Sequence, residues 1–288
     1  MNTTSTKQPV LWLGAHKTGT TFLQKALDMS QETLERSGWY YKNLDAFRND
    51  YTRPLIYNGE FPSAQPPNPS LNFFFDENIP NLVQHALSRN GLYPDLVKRT
   101  KKISDYFNLN SPDLWFGIRD YTGFIPSLYC ETLKSTSYRS FSDFYQPDHH
   151  RLDWNDVIDR MREVFPKSRI FIYRYEELRG NEAKLLSRVT DIPPEEINLP
   201  KSISRLGFSQ AAINALELLS KNKKITSSDI VNATKSHPKN KENPSFQPFN
   251  DEDKERLREK YMNDVSKING RGDVNKINLQ PCDKNNAK

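Results

Sequence analysis

The 288-residue chain holds only two cysteines, Cys130 and Cys282. They lie far apart and show no metal-ligand spacing. That excludes a disulfide-stapled scaffold and fits a reducing compartment. Long apolar runs are also missing, since no stretch reaches the ~18 residues that a membrane span needs. The first nine residues are polar and lack the apolar centre of a signal peptide. These absences set the cytoplasm as the expected location. The Asn-x-Thr sequons at Asn2 and Asn232 then read as chance matches. No linker or internal repeat divides the chain, so one α/β domain over residues 1–270 and a polar tail over 271–288 are expected.

Charge of one sign is scarce over most of the chain. Residues 1–220 carry 26 basic and 26 acidic side chains, and the whole excess of +5 falls in residues 221–288. A nucleic-acid binder would show a denser basic stripe, so no nucleic-acid partner is expected. Hydrophobic residues are only 35% of the chain, but 16 Phe, 13 Tyr and 4 Trp can build a sizeable core.

Residues 9–14, PVLWLG, read as a strand buried on both faces. Phe22, Leu23, Ala26 and Leu27 then fall on one face of a helix over 20–29. Further strands are expected at 38–41, 71–75, 113–119 and 169–173. Helices are expected at 79–89, 94–107, from 124, from 154, and at 181–190, 208–220 and 251–267. Pro126 would be tolerated only in the first turn of its helix. Residues 51–70 hold five of the 19 prolines and read as a long loop. The alternation of strand and helix predicts an α/β fold with a mostly parallel sheet. Ligands of such sheets bind beyond the carboxyl ends of the strands. That rule selects residues 14–21, 76–78, 119–127 and 174–177.

The segment Gly14-Ala15-His16-Lys17-Thr18-Gly19-Thr20-Thr21 joins the first strand to the first helix. A triphosphate loop reads G-x-x-x-x-G-K-[ST], with its lysine after the second glycine. Gly14 and Gly19 keep the four-residue gap, but Thr20 stands where that lysine would be, and Lys17 lies before Gly19. Backbone amides and the helix dipole still favour an anion. What is lost is the usual magnesium-triphosphate grip.

This loop resembles the 5′-phosphosulfate loop of sulfotransferases that use 3′-phosphoadenosine 5′-phosphosulfate (PAPS). GAHKTGTTFLQ is similar to the bacterial carbohydrate-sulfotransferase-like group, whose loops often read H-K-[ST]-G-T-[ST]-x-[LI]-Q. Arg119, with Ser127 eight residues on, resembles the family's 3′-phosphate motif. A side chain in the first helical turns points back toward the N-terminus, so Ser127 can reach a phosphate that Arg119 grips. Tyr175, in YEEL at 175–178, resembles the tyrosine that the family sets against adenine, although a core tyrosine fits the sequence as well. The resemblance covers residues 9–190, with weaker similarity to 268. It departs from the family in the Pro-rich stretch 54–69 and in lacking the C-terminal Arg-Lys-Gly segment of animal cytosolic members, for which Arg271-Gly272 is a poor stand-in.

The resemblance implies a P-loop-like three-layer α/β/α fold with a mostly parallel central sheet and extra C-terminal helices. It implies sulfuryl transfer from PAPS to a hydroxyl or amine, on a carbohydrate, glycolipid or other acceptor, leaving adenosine 3′,5′-bisphosphate and requiring no metal. His16, Lys17, Thr18, Gly19, Thr20, Thr21, Arg119, Ser127 and Tyr175 would bind the nucleotide. The two anionic groups would be held at opposite ends, by the loop and by Arg119 with Ser127. Lys17 would stabilise the leaving phosphate. Glu77 is the expected general base, with burial beside Phe73–Phe75 raising its pKa, and Asp76 is the alternative. A helix-start carboxylate is the competing reading of Glu77.

His16 reads as a packing or orienting residue. His85 is expected to be a surface or core histidine. His149-His150 read as part of a solvated turn, since adjacent histidines rarely converge on one ion. Arg271-Gly272-Asp273 spells an adhesion tripeptide by chance. Two other functions fit the same loop: a nucleotide kinase or NTPase, and a non-catalytic nucleotide or anionic-glycan binder.

Overall fold

In the computed structural model, residues 7–60, 71–202 and 207–279 are described. Part of the Pro-rich stretch, residues 61–69, lies outside them, as do Asn2, Cys282 and the tail beyond 279.

Five strands form one parallel sheet: β1 (Val10–Trp12), β2 (Phe73–Phe75), β5 (Asp113–Ile118), β6 (Ile170–Arg174) and β7 (Asn275–Ile277). Their order is β2-β1-β5-β6-β7. Alternate residues face opposite sides, as the two-residue strand period requires. Leu11, Phe74, Leu114, Phe116, Ile170 and Ile172 face one buried cluster. Val10, Trp12, Phe73, Phe75, Trp115 and Tyr173 face the other.

Helices cover both faces, giving three layers. On the second face lie α1 (Thr20–Met29), α2 (Gln31–Arg36) and α8 (Glu182–Thr190). The first face is covered by α4 (Leu96–Phe107), α5 (Tyr121–Thr132), α7 (Trp154–Val164), α9 (Gln210–Ser220), α10 (Ser227–Ser236) and α11 (Asp251–Gly270). The short α3 (Leu44–Phe47) and α6 (Phe141–Phe144) complete that side. Aromatic stacking fills the interior: Trp12 lies flat on Phe75 at 4.4 Å, and Trp115 on Phe171 at 4.5 Å. Among the described residues no helix is long and apolar enough to cross a membrane.

Several expectations need correction. Residues 275–277 are not polar tail but the edge strand β7, and the fold runs through them. Asn275 and Lys276 are exposed there, so the strand adds backbone pairing without an apolar pattern; Val274 and Leu279 bury on either side. The helix expected at 79–89 is instead a 3₁₀ turn over Val83–His85 and a hairpin, β3 (Leu87–Ser88) with β4 (Gly91–Leu92). Gly91, at φ +118, supplies the backbone conformation that this tight turn needs. Residues 51–58 are not loop but part of a π-helix, Arg48–Asn58, that buries Tyr51, Thr52, Leu55 and Ile56. Pro126 sits in the second turn of α5, where its missing N–H leaves the Thr122 carbonyl without the usual helical donor. The strand expected at 38–41 is a single bridge, Tyr41 to Phe73.

The chain leaves β1 for β2 on one side and returns to β5 on the other. That reversal opens a crevice between the carboxyl ends of β1 and β5. The loop 13–19 and Arg119 meet there.

Candidate functional site

The loop after β1 is closed by its own side chains. Thr18 Oγ1 donates to the Ala15 carbonyl at 2.6 Å, and Tyr173 Oη donates to the Thr18 carbonyl at 3.4 Å. The Tyr173 ring reaches this position because residue 117 is glycine; a Cβ there would stand 2.5 Å from the ring. Gly19, at φ +85, caps α1 and lies against Leu178, where a Cβ would come within 2.6 Å of Cδ2. No described side chain caps α1, so its positive dipole end remains available to an anion. Lys17 itself takes a left-handed backbone, φ +66, which is costly for a residue with a Cβ.

Arg119 follows directly on β5 and enters the crevice. Its Nη1 donates to the Lys17 carbonyl at 2.7 Å, and its guanidinium lies 4.3 Å from the Tyr175 ring centre. The guanidinium passes close over Gly123, whose Cβ would lie 3.1 Å from Nη2. Burial lowers its pKa, and among the described residues it makes no ion pair. The guanidinium thus touches the loop backbone itself while facing the same cavity.

The YEEL segment holds this arrangement. Tyr175 is half-buried against Arg119 and is not a core tyrosine. Glu176 accepts from the Asp120 amide at 2.8 Å and from Tyr261 Oη at 2.7 Å, which fixes the start of α5. Glu177 pairs with Arg174 and accepts from the Leu279 amide at 3.1 Å, tying in the end of β7. Leu178 packs on Gly19. A buried carboxylate on α11, Asp264, accepts from Tyr121 Oη and from the Trp154 amide. Trp154 in turn donates to the Arg119 carbonyl at 3.1 Å.

The loop, Arg119 and Tyr175 border a cavity of about 530 Å³. Of the expected site residues, Lys17, Gly19, Thr20, Thr21, Arg119, Ser127 and Tyr175 line it. Phe22 and Phe208 add aromatic wall. Sequence reasoning missed Glu131, Lys134, Lys239 and Gln247, which also line the cavity. Lys17 Nζ donates to Glu131 Oε2 at 2.9 Å, and Lys134 Nζ reaches the same oxygen at 3.1 Å. Burial would raise the Glu131 carboxyl, but Lys17 and then Lys134 overcome it and bring it down to about 2. Helical spacing was the available signal: Gly123, Ser127 and Glu131 recur at i, i+4 on the face of α5 that meets the loop.

His16, Thr18 and Glu77 do not line the cavity; they lie buried behind the loop. The His16 amide donates to Tyr93 Oη at 2.8 Å, and its ring stacks on Tyr93. Burial lowers the His16 pKa, leaving the ring neutral near pH 7. Its Nε2 lies 3.1 Å from the Asn78 amide, which donates to it when its oxygen faces Arg48. The expected rise in the Glu77 pKa does not occur. Burial would raise it, but the Arg48 guanidinium at 3.3 Å, helped by the hydrogen bond from Gln24, outweighs burial and holds it below the usual carboxylate range. Gln24 Nε2 donates to Glu77 Oε2 at 2.7 Å. Glu77 is therefore a buried, paired carboxylate rather than a raised base. Asp76 is fully buried and accepts from Arg48 Nε at 2.9 Å, Arg48 Nη2 at 2.7 Å and Thr52 Oγ1 at 2.8 Å. Burial nonetheless pushes its pKa up. Neither carboxylate faces the cavity, because the loop backbone stands between; a Cβ on Gly14 would lie 3.5 Å from Glu77 Cβ.

The other histidines stand apart from the cavity. His85 is exposed, and His149 and His150 bond to Gln146 in a surface turn. Arg271 pairs with Asp159 and Asp273, giving the 271–273 tripeptide a structural role. No protein-family model and no curated protein matches this chain.

Proposed function

We propose that the chain is a sulfotransferase of P-loop-like fold that moves a sulfuryl group from PAPS to an acceptor hydroxyl or amine. Carbohydrates and glycolipids are the favoured acceptors, and the cytoplasm is the proposed location. The observation that carries this reading is one crevice in which the Lys17 loop, Arg119, Ser127 and Tyr175 line a common cavity. In this reading the loop and the start of α1 receive the 5′-phosphosulfate. Arg119 and Ser127 receive the 3′-phosphate, and Tyr175 with Phe22 supplies flat faces for the base.

The acceptor oxygen attacks sulfur in line with the departing phosphate oxygen. The new S–O bond forms as the bond from sulfur to the bridging oxygen breaks, and the electron pair leaves on adenosine 3′,5′-bisphosphate. The logic is that of phosphoryl transfer, where positioning and charge stabilisation supply the rate. Lys17 would neutralise the bridging oxygen without a metal. The acceptor proton goes to a base; Glu77, buried behind the loop, is not assigned that role.

A thermal-shift panel tests the reading. Adenosine 3′,5′-bisphosphate should stabilise the protein more than adenosine 5′-phosphate or magnesium-ATP, by about 2.7 kcal/mol at a hundredfold excess over Kd. Preference for magnesium-ATP would favour a kinase or NTPase instead. Bisphosphate binding without transfer of label from PAPS to any acceptor in a broad screen would leave a binding protein.

A further inference from the structure

Glu131 is out of place in a cavity built for anions. Its carboxylate is a quarter exposed and lines the same space as Arg119, Lys134 and Lys239. A bound oxyanion would meet its repulsion. Glu131 is nevertheless the 2.9 Å partner of Lys17, the cation that the loop presents. The Lys17 backbone is held by its left-handed conformation and by Arg119 on its carbonyl, so only the side chain is left to move. That side chain leans onto α5, one helical turn beyond Ser127.

We propose that Glu131 is a positioning residue that competes with bound oxyanion for Lys17. In the empty site Glu131 holds the ammonium inside the cavity. When an anion enters, the ammonium passes to it, and Glu131 keeps Lys134 as its partner. When the product leaves, Lys17 returns to Glu131, which weakens the grip on the departing bisphosphate. The proposal rests on the reading of the cavity as an anion site, and the experiment separates the two.

Calorimetric titrations of the wild type, Glu131→Gln, Lys17→Met and the double variant would use two probes, inorganic pyrophosphate and adenosine 3′,5′-bisphosphate. Glu131→Gln should bind both about tenfold more tightly, equivalent to about 1.4 kcal/mol. In the Lys17→Met background the same change should alter affinity less than twofold, because the ammonium for which Glu131 and the anion compete is then gone. Glu131→Asp should stay within threefold of the wild type. In turnover, Glu131→Gln should lower KM and kcat together, as slower product release requires.

Unchanged or weaker binding by folded Glu131→Gln overturns the proposal. So does a tenfold gain that persists without Lys17, which would mark plain repulsion. Should Glu131→Gln fail to fold, Glu131→Ser in the same cycle gives the same comparison. Pyrophosphate binding with the expected cycle, but no binding of the bisphosphate, would remove the nucleotide reading and leave the role of Glu131 standing. Binding of neither probe by the wild type would remove both.

Discussion

Replacing Arg48 with methionine would leave two buried carboxylates without their cation. Arg48 donates twice to Asp76, at 2.9 and 2.7 Å, and approaches Glu77 at 3.3 Å. Removing one partner of a buried pair costs about 3–5 kcal/mol. Thr52 and the Asn78 amide would still bond Asp76, and Gln24 would still bond Glu77, so the lower end applies. A loss of about 3 kcal/mol corresponds to a fall of roughly 6–12 °C in Tm for a domain of this size.

The loss should depend on pH in a defined direction. In the wild type, Glu77 lies below its ordinary value. It contributes stability that is present above its unfolded pKa and is lost as pH falls through the folded one. Without Arg48, Glu77 rises above its unfolded value, which reverses its sign, and Asp76, already raised, rises further; stability is then lost as pH rises through that window. Acidifying from pH 7 to pH 5 should recover part of the deficit, read as the difference in urea midpoint between variant and wild type at each pH. A deficit below 1 kcal/mol, or one identical at both pH values, would refute the view that Arg48 balances buried charge.

Two further substitutions address the crevice. Arg119→Lys should weaken binding of adenosine 3′,5′-bisphosphate about 10- to 100-fold while changing adenosine 5′-phosphate less than threefold, since a lysine cannot reproduce the planar fork; equal losses in titrations of both nucleotides would remove the 3′-phosphate role. Gly19→Ala should cost about 2–3 kcal/mol in denaturant unfolding, from the positive φ and the 2.6 Å approach to Leu178, and adding Leu178→Ala should not recover the backbone share.

The parts legible in the sequence were those written in local pattern. The strand, turn and helix over residues 10–29 announce themselves by an apolar run, two glycines and helical spacing. Arg119 stood out because a buried strand ends on a charge. Glu131 was hidden because the face of α5 that meets the loop is set by packing, not by propensity. Lys239 and Gln247 reach the cavity through a segment bridged to Phe208 and Ser209, a long-range pairing with no local signature. Glu77 was placed at the correct strand end. Its pairing with Arg48, brought in from an unrecognised π-helix, could not be read from the spacing. The edge strand β7 escaped notice because it is three residues long and both faces of Asn275-Lys276 are exposed, leaving no apolar alternation to read.

That late strand has a consequence for how the chain comes to be made. β7 pairs with β6, which is synthesised roughly a hundred residues earlier. Until β7 has emerged from the ribosome, β6 stands as an open border with unsatisfied amides and carbonyls. The crevice borders β6 through Tyr175, and Glu177 two residues on bonds the Leu279 amide, so the strand beside the crevice is tied down only once β7 has been made.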